Sequence, residues 1–242
     1  MRQHYTLSRL YVSQALAKGK DIGLLQSQAH FLGCVMRKNV GEHIRVFNGE
    51  DGEWLAEIFE LAKRKAKVKI REQIRAPLSV PDIWLLFAPV KKTRNLFIVE
   101  KAVELGAARI CPVITARTIW KIRMDKMDAH IIEAAEQTER LDLPLALPPQ
   151  SLVSLLETWD QARTLVFADE AGGAAPAAKA LAKVNTPCAI LIGPEGGFTD
   201  KERAMLRNKP YVRPISLGPR ILRADTAAFS TLALWQAVSG DW

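Results

Sequence analysis

Two loops rich in glycine and proline contain the residues best suited to ligand binding and chemistry. Residues 192–198 read Ile-Gly-Pro-Glu-Gly-Gly-Phe and precede Thr199-Asp200-Lys201-Glu202, the pattern of a capping box that begins a helix. Because glycine has no Cβ, the backbone N–H groups of such a loop can approach a ligand closely. We therefore expect a ligand-binding loop, the alternative being a plain turn from a strand to a helix.

A second loop, residues 217–226, reads Leu-Gly-Pro-Arg-Ile-Leu-Arg-Ala-Asp-Thr. It places two arginines and a carboxylate where a strand ends and the last helix begins. Neither loop contains the Gly-Lys-Ser/Thr of a phosphate-binding Walker motif or a GxGxxG fingerprint that opens a helix. A nucleoside-triphosphate enzyme is therefore a disfavoured alternative, which failure to bind ATP would exclude.

The elements that must position these loops alternate between strands and helices. The predicted strands are residues 84–88, 110–114, 165–168, 189–192 and 212–215, and the predicted helices include 93–105 and 124–140. This alternation is typical of an α/β domain with a mostly parallel sheet covered on both faces. Ligands bind such sheets at the carboxyl ends of the strands, which is where both loops lie.

The first third of the chain has a different pattern. Strands are predicted at 43–47 and 54–59, joined as a hairpin by the turn-forming residues 48–52, and a third at 65–71, with a helix near 26–36. The two prolines of residues 76–81 mark a linker. We therefore predict a small β-barrel-like domain over 1–75 and an α/β domain over 76–242.

Positive charge is concentrated in that first third. The chain has 34 Lys+Arg against 26 Asp+Glu, a net charge of +8, and residues 1–76 contribute 14 basic and 8 acidic residues, or +6. In the strand over 65–71, Ala66, Val68 and Ile70 alternate with four cations. Lysine on an edge strand can simply prevent aggregation, but the overall excess favours phosphate contacts with a nucleic acid.

Other features restrict the class of protein. Hydrophobic residues at 48% and charged residues at 25% match ordinary globular proteins. No apolar run approaches the ~20 residues of a membrane span and the start has no signal-like apolar region, so we expect a cytoplasmic protein. The three cysteines, Cys34, Cys111 and Cys188, have no metal or disulfide spacing and are expected to be buried, and no metal site is expected.

The last predicted helix, residues 226–240, has no charged side chain and is apolar on all sides. Such a helix is buried. It is either threaded into its own domain or packed against a second copy of the chain, and we predict a homodimer from this feature.

With both loops in view, the chain resembles the 16S ribosomal RNA uridine-N3-methyltransferase (RsmE-like) family of the SPOUT superfamily. The resemblance covers nearly the whole chain. The residues that carry it are Arg9-Leu10-Tyr11, residues 30–37, Phe47-Asn48-Gly49 with Gly52-Glu53-Trp54, residues 101–106, Arg117, residues 133–137 with Arg140 and Pro144, and the loops 192–198 and 217–226.

The resemblance implies an N-terminal barrel similar to a PUA domain that docks RNA and a C-terminal α/β domain with a trefoil knot. It also implies S-adenosylmethionine as cofactor and 16S ribosomal RNA, or the small ribosomal subunit, as partner. The residues implied to bind the cofactor are Ile192, Gly193, Gly197, Leu217, Gly218, Ile221 and Leu222. A trefoil knot could not be expected from general topology rules.

The implied reaction, methylation of uridine N3, requires that a proton leave the base. Arg223 is the candidate that stabilises the resulting anion, and Glu195 and Asp225 are candidate proton acceptors or loop organisers. Two features depart from the family pattern: about eight extra residues precede Arg9, and Asp225 stands where the family usually has glutamate. We expect Asp225 still to cap the last helix.

Candidate RNA contacts are basic residues of the first domain. They are Arg2, Arg9, Arg37, Lys65, Lys67, Lys69 and Arg71. The alternative function is that of a non-catalytic RNA-binding ribosome-assembly factor with the same fold, and cofactor binding distinguishes the two.

Overall fold

The computed structural model describes residues 4–242, which form two compact units. The N-terminal unit contains the described residues up to Ser79 together with Ala135–Leu143, and the C-terminal unit contains Val80–Ala134 and Pro144–Trp242. The N-terminal unit is therefore built from two stretches of sequence. The division into domains at 75 and 76 stays a prediction.

The N-terminal unit is a mixed five-stranded sheet with the strand order β1-β3-β4-β5-β2. Its elements are β1 (Arg9–Tyr11), β2 (Asp21–Gly23), α1 (Gln26–His30) continued by a π-helical turn (Phe31–Val35), β3 (His43–Phe47), β4 (Glu53–Ala62) and β5 (Lys65–Arg75). The predicted hairpin of β3 and β4 is confirmed, with Phe47 paired to Glu53. The pairing of β4 with β5 has register shifts, which are bulges or other irregularities of the ladder.

The alternation predicted for 65–71 is also confirmed. Ala66, Val68 and Ile70 are buried, the latter two in the core beneath the sheet with Ile44, Val46 and Ile58. The prediction that all three cysteines are buried is wrong for Cys34, which follows α1 in the π-helical turn and is exposed. Cys111 and Cys188 lie on buried strands of the other unit.

The C-terminal unit is an α/β fold with the strand order β11-β13-β10-β12-β6-β7-β8, and all of its strand pairs are parallel. Its strands are β6 (Ile83–Phe87), β7 (Arg109–Ile114), β8 (Leu145–Ala146), β9 (Gln150–Ser151), β10 (Thr164–Ala168), β11 (Ala175–Pro176), β12 (Cys188–Ile192) and β13 (Val212–Ser216). Its helices are α2 (Lys92–Glu104), α3 (Met124–Gln137, whose last turn lies in the other unit), α4 (Leu152–Glu157), α5 (Ala177–Leu181), α6 (Asp200–Arg207) and α7 (Ala224–Ser239). The predicted α/β class is confirmed.

Both faces of this sheet are covered, which explains why its central strands β6 and β12 are apolar throughout. One face packs Leu86, Phe167 and Leu191 against residues that include Leu156 of α4 and Leu206 of α6. The helices α2 and α7 contact each other, and α7 also contacts α5, β6 and β12.

The last helix packs into its own unit along one face. Trp235 is fully buried, and its indole N–H donates to the Val184 carbonyl at 2.9 Å. Gln236 donates to the Leu105 carbonyl at 2.8 Å. The rest of the helix surface is less covered: Phe229 and Leu234 are half-buried, and Val238 is 41% exposed. The helix is therefore not buried on all sides, contrary to the sequence prediction. In the described part of the chain, no helix has the length and apolar character needed to cross a membrane.

Candidate functional site

A cleft of about 980 Å³ opens in the C-terminal unit at the carboxyl ends of β10, β12 and β13. Its walls are residues 168–170 with Gly172, residues 192–197, residues 216–224, Ala227, and Arg94 near the start of α2. This volume is at the upper end of the range typical of sites for small molecules and cofactors. From β6 the chain continues to its neighbour β7 on one side, and the later strand β12 pairs with β6 on the other side. The strand order therefore reverses between β6 and β12, beside the cleft. Ligands are expected at such a reversal point.

The structure brings the two predicted loops together in this cleft. All seven residues predicted to bind a cofactor line it: Ile192, Gly193, Gly197, Leu217, Gly218, Ile221 and Leu222. Ile192 is buried at the end of β12, whereas the Ile221 side chain is 90% exposed. Their assignment to a cofactor stays a prediction.

The first loop is shaped by two glycines that no other residue could replace without a shift. A Cβ on Gly193 would lie 2.8 Å from the ring of Phe198, which is fully buried and packs edge-on against Phe167. Gly197 has a φ of +66° and donates its N–H to the Pro194 carbonyl at 2.8 Å. A Cβ there would lie 2.2 Å from a carboxylate oxygen of Glu170. The wall of the cleft therefore consists of backbone at these positions.

The capping box predicted for α6 is present and fixes the end of this loop. Thr199 caps the helix, and Glu202 accepts hydrogen bonds from the Thr199 N–H at 2.8 Å and from its hydroxyl at 2.9 Å. The other carboxylate oxygen of Glu202 accepts from the Ala116 N–H at 2.8 Å. Glu202 is only 8% exposed, so it joins the loop after β7 to the glycine loop through buried polar contacts.

Arg94 connects the two predicted acidic site residues. It lies in the first turn of α2, donates to the Glu195 carboxylate, and has its Nε 3.9 Å from the Asp225 Oδ2. Asn95, 3% exposed, fixes this turn by accepting the Val90 N–H at 2.8 Å. The sequence patterns did not single out Arg94; the available signal was its position just after the carboxyl end of β6.

Glu195 and Arg223 line the cleft, whereas Asp225 lies outside its lining. Glu195 is 45% exposed and Asp225 only 16%. The expectation that Asp225 caps the last helix is wrong: Arg223 occupies the N-cap position without a side-chain cap, and Asp225 accepts the Thr226 N–H at 2.8 Å within the first turn. Asp225 nevertheless suits that turn, because a carboxylate interacts favourably with a helix N-terminus.

A second acidic pair, Asp169 and Glu170, lines the cleft at the end of β10. Asp169 is 3% exposed and accepts two hydrogen bonds from Arg207, at 2.9 and 2.6 Å. Glu170 accepts from Arg203 at 2.7 Å, and this bond raises the pKa of Arg203. These arginines come from α6, so they tie the end of β10 to the helix that follows the glycine loop.

In the N-terminal unit, the candidate RNA contacts differ from one another. Arg9 is 6% exposed; it donates to Glu53, which is fully buried, and lies 3.7 Å from the ring centroid of Phe47. Its guanidinium is therefore used inside the fold, and the assignment of Arg9 to RNA stays a prediction that this burial does not favour. Arg37 is exposed, with a left-handed φ of +52°, and Arg2 lies outside the described residues.

The cations of β5 are exposed but paired. Lys65 and Lys67 lie 2.6 and 3.2 Å from the Glu60 carboxylate, Lys69 lies 3.5 Å from Asp21, and Arg71 pairs with Glu57. The hydrogen bond from Lys65 is the main cause that holds the pKa of the Glu60 carboxyl below its ordinary value. No group of three or more His, Cys, Asp or Glu side chains that could hold a metal is present among residues 4–242.

Comparisons with known proteins agree with this architecture. A family model described as an RNA methyltransferase domain matches residues 77–236, and a second, described as an RNA methyltransferase PUA domain, matches residues 26–71. The ribosomal RNA small subunit methyltransferase E of Rickettsia conorii is 30% identical over 230 residues, covering 93% of each chain. The chain belongs to the ribosomal RNA small subunit methyltransferase E family.

Two further members of the methyltransferase E family show how far the similarity extends. The Synechocystis protein of the same name is 34% identical over 233 residues, covering 93% of this chain and 76% of its own. The crystal structure of the Neisseria gonorrhoeae protein, bound to S-adenosyl methionine, superposes with a TM-score of 0.87 at 27% identity, over 98% of this chain and 99% of that one. The family resemblance and the SPOUT-type fold class inferred from sequence are thereby confirmed.

Proposed function

We propose that this protein is an S-adenosylmethionine-dependent methyltransferase that methylates N3 of a uridine in small-subunit ribosomal RNA. The observation that carries the proposal is the glycine-walled cleft, formed by both family loops at the carboxyl ends of parallel strands. Membership of the methyltransferase E family and the cofactor bound to the gonococcal relative support it.

The residues of the cleft fit such a cofactor. Ile192, Leu217 and Leu222 offer apolar surface for a purine ring, and the bare backbone at Gly193 and Gly197 leaves room for a polar ligand close to peptide groups. The carboxylates of Glu170 and Glu195 line the same cleft and suit a ligand that carries positive charge. When bound, S-adenosylmethionine supplies a methyl group on a sulfonium centre.

The task of this chain is then to align the base and to remove its proton. Uridine N3 lies on the base-pairing edge, so the base must be unpaired or turned out of its helix. We assign Arg223 to the negative charge that develops as the N3 proton leaves, because it is exposed at the mouth of the cleft and always charged. Glu195 is the most exposed carboxylate of the lining and is assigned to accept the N3 proton. Arg94 contacts both Glu195 and Asp225 and is assigned as the residue that positions Glu195.

The first test is calorimetric titration of the protein with S-adenosylmethionine, with ATP and NAD as controls. Selective binding is expected, and transfer of labelled methyl groups to small ribosomal subunits should follow. A methyl group at N3 blocks base pairing, so the modified uridine should stop reverse transcription at one position. RNA binding without cofactor binding would instead establish the assembly-factor alternative.

Docking of RNA is assigned to exposed cations of the N-terminal unit. We propose Arg37 together with Lys65, Lys67, Lys69 and Arg71, and Arg2 from the sequence alone. Removing one cation that binds a phosphate should reduce the slope of log affinity against log salt by about one. The double variant Lys65→Ala/Lys67→Ala should therefore flatten the salt dependence, and an unchanged slope would remove this strand from the interface.

We also propose that the protein is a homodimer and acts in the cytoplasm, where an RNA substrate of this kind is found. The less covered surface of α7 supports a dimer: Leu234 is half-buried, and Val238, one turn further along the same side of the helix, is 41% exposed. Replacing Val238 by lysine should shift the mass measured by light scattering toward that of a monomer. A monomeric wild-type protein would refute this assembly.

A further inference from the structure

We propose that the loop after β7, residues 117–123, holds the RNA strand beside the target uridine, with Trp120 stacking on an unpaired neighbouring base. This inference rests on the proposed function and adds an RNA-binding element within the C-terminal unit. The loop belongs to the same unit as the cleft, so it can act on the strand that carries the reacting base.

The first observation is the exposure of large apolar side chains in this loop. Ile119 is 80% exposed and Trp120 is 39% exposed. Among residues 4–242, no aromatic ring or cation packs on the Trp120 indole, whereas Trp84 is covered by the guanidinium groups of Arg109 and Arg163 at 4.6 and 3.9 Å. A partly exposed indole that has no ring or cation packed on it is suited to stacking on a nucleic-acid base.

The second observation is charge. Residues 105–124 contain four cations, Arg109, Arg117, Lys121 and Arg123, and no Asp or Glu. Arg123 pairs with Asp125, at 3.0 and 2.6 Å, but no carboxylate in the described part of the chain pairs with Arg117 or Lys121. A tryptophan between unpaired cations is the combination that binds single-stranded nucleic acid, by base stacking and phosphate contacts.

The third observation is that the loop is anchored to the cleft. Arg117 donates to the Gly196 carbonyl at 2.7 Å, and Gly196 is part of the cleft wall. The Ala116 N–H donates to buried Glu202, and the Thr118 hydroxyl accepts the Thr115 N–H at 2.9 Å, which closes a turn. The start of the loop is therefore fixed next to the glycine loop. Its tip, with Ile119 and Trp120, is exposed to solvent and accessible to a ligand.

An RNA strand fits this surface better than a protein partner does. Arg117 and Lys121 would have to be buried unpaired against an apolar partner, at a high desolvation cost. A phosphate backbone supplies the opposite charge. When the reacting uridine lies in a single-stranded segment, its neighbours on the strand are unpaired too and can stack on an aromatic side chain.

The test compares Trp120→Ala and Trp120→Phe in the full-length protein with small ribosomal subunits as substrate. Stacking of one base predicts that Trp120→Ala raises the KM for RNA about 5- to 150-fold and that Trp120→Phe restores most of the affinity. The S-adenosylmethionine affinity should stay unchanged. Trp242→Ala, at a 68% exposed tryptophan outside the loop, is the matched control.

Fluorescence provides a readout that does not depend on catalysis. RNA should quench the emission of wild-type protein and of Trp242→Phe, but that quenching should be absent in Trp120→Phe. Lys121→Ala should reduce the salt slope of RNA binding by about one. The proposal would be overturned if the Trp120 variants kept the wild-type KM for RNA and the wild-type quenching by RNA. It would also be overturned if Trp120→Ala had a lower molecular mass than wild-type protein, because the surface would then bind a second copy of the chain. Failure of the proposed function itself would be recognised separately, as wild-type protein that binds no S-adenosylmethionine.

Discussion

Replacing Gly193 by alanine tests whether the wall of the cleft depends on backbone without a side chain. The new Cβ would lie 2.8 Å from Phe198 Cε2 and 3.1 Å from its Cζ. Ordinary carbon contacts are about 3.5–4.0 Å, so the ring must move by about 1 Å. Phe198 is fully buried against Phe167, and movement in that direction disturbs a packed core.

The magnitude follows from comparison with a neighbour. Overpacking of a core costs about 1–3 kcal/mol, and alanine in place of glycine gains about 0.4–1 kcal/mol by restricting the unfolded chain. Gly196→Ala shares that gain, but its Cβ meets only the Arg117 side chain, at 3.5 Å, and its φ is not left-handed. The difference between the two variants therefore isolates the steric cost, about 1–3 kcal/mol.

Thermal unfolding of both variants measures this difference. At about 2–4 °C per kcal/mol for a chain of this size, Gly193→Ala should melt roughly 2–12 °C below Gly196→Ala. Phe198→Leu should relieve the clash, so the double variant Gly193→Ala/Phe198→Leu should be more stable than the sum of the single effects, by about 0.5–3 kcal/mol. Equal melting temperatures for the two alanine variants, or strict additivity in the double variant, would refute the reasoning.

Three further predictions concern two contacts of the site and the cysteines. Arg94→Ala should lower the rate of methyl transfer while costing less than about 1 kcal/mol of stability, since its pair with Glu195 is partly exposed; activity assays and thermal unfolding measured on the same sample check this. Glu202→Ala leaves three donors without their acceptor and should cost about 1–3 kcal/mol in urea unfolding, whereas a surface substitution such as Lys201→Ala should cost little. Burial raises the pKa of Cys111 to about 11 and of Cys188 to about 12. Unfolded thiols ionise near pH 8.5, so the stability that these thiols contribute is fully present below about pH 8.5 and should fall as pH rises toward about 11–12. A thiol reagent at neutral pH should modify only Cys34 in the folded protein, and fast modification of a second cysteine would contradict the burial.

The sequence predicts the strands and helix starts that position the site well, because these elements depend on local patterns. Short apolar strands, the Thr199–Glu202 capping box and the alternation over 65–71 are each encoded within a short stretch of the chain. Parallel strands place all their carboxyl ends at one edge. The loops 192–198 and 217–226 could therefore be assigned to one site without knowledge of the strand order.

Side-chain partners were predicted less well, because they depend on contacts between distant parts of the sequence. Arg94 and Glu195 are 101 residues apart, and Arg9 and Glu53 are 44 residues apart. Nothing in the spacing around Arg9 indicates that its guanidinium is buried on Phe47. Asp225 was misplaced for a local reason: the helix begins at Ala224, before the aspartate that was expected to cap it, which moves the N-cap to Arg223.

These partners also change which cations should matter most for RNA. Lys65 and Lys67 share the Glu60 carboxylate, so a phosphate that binds them must replace an existing attraction. Arg37, Lys121 and Arg223 are exposed and have no acidic partner among residues 4–242, so each gains the full interaction with a phosphate or a developing anion. Exposed ion pairs are worth only about 0–1 kcal/mol, so the strand lysines can still contribute. Single substitutions at the unpaired cations should nevertheless weaken RNA binding or turnover more than single substitutions in β5.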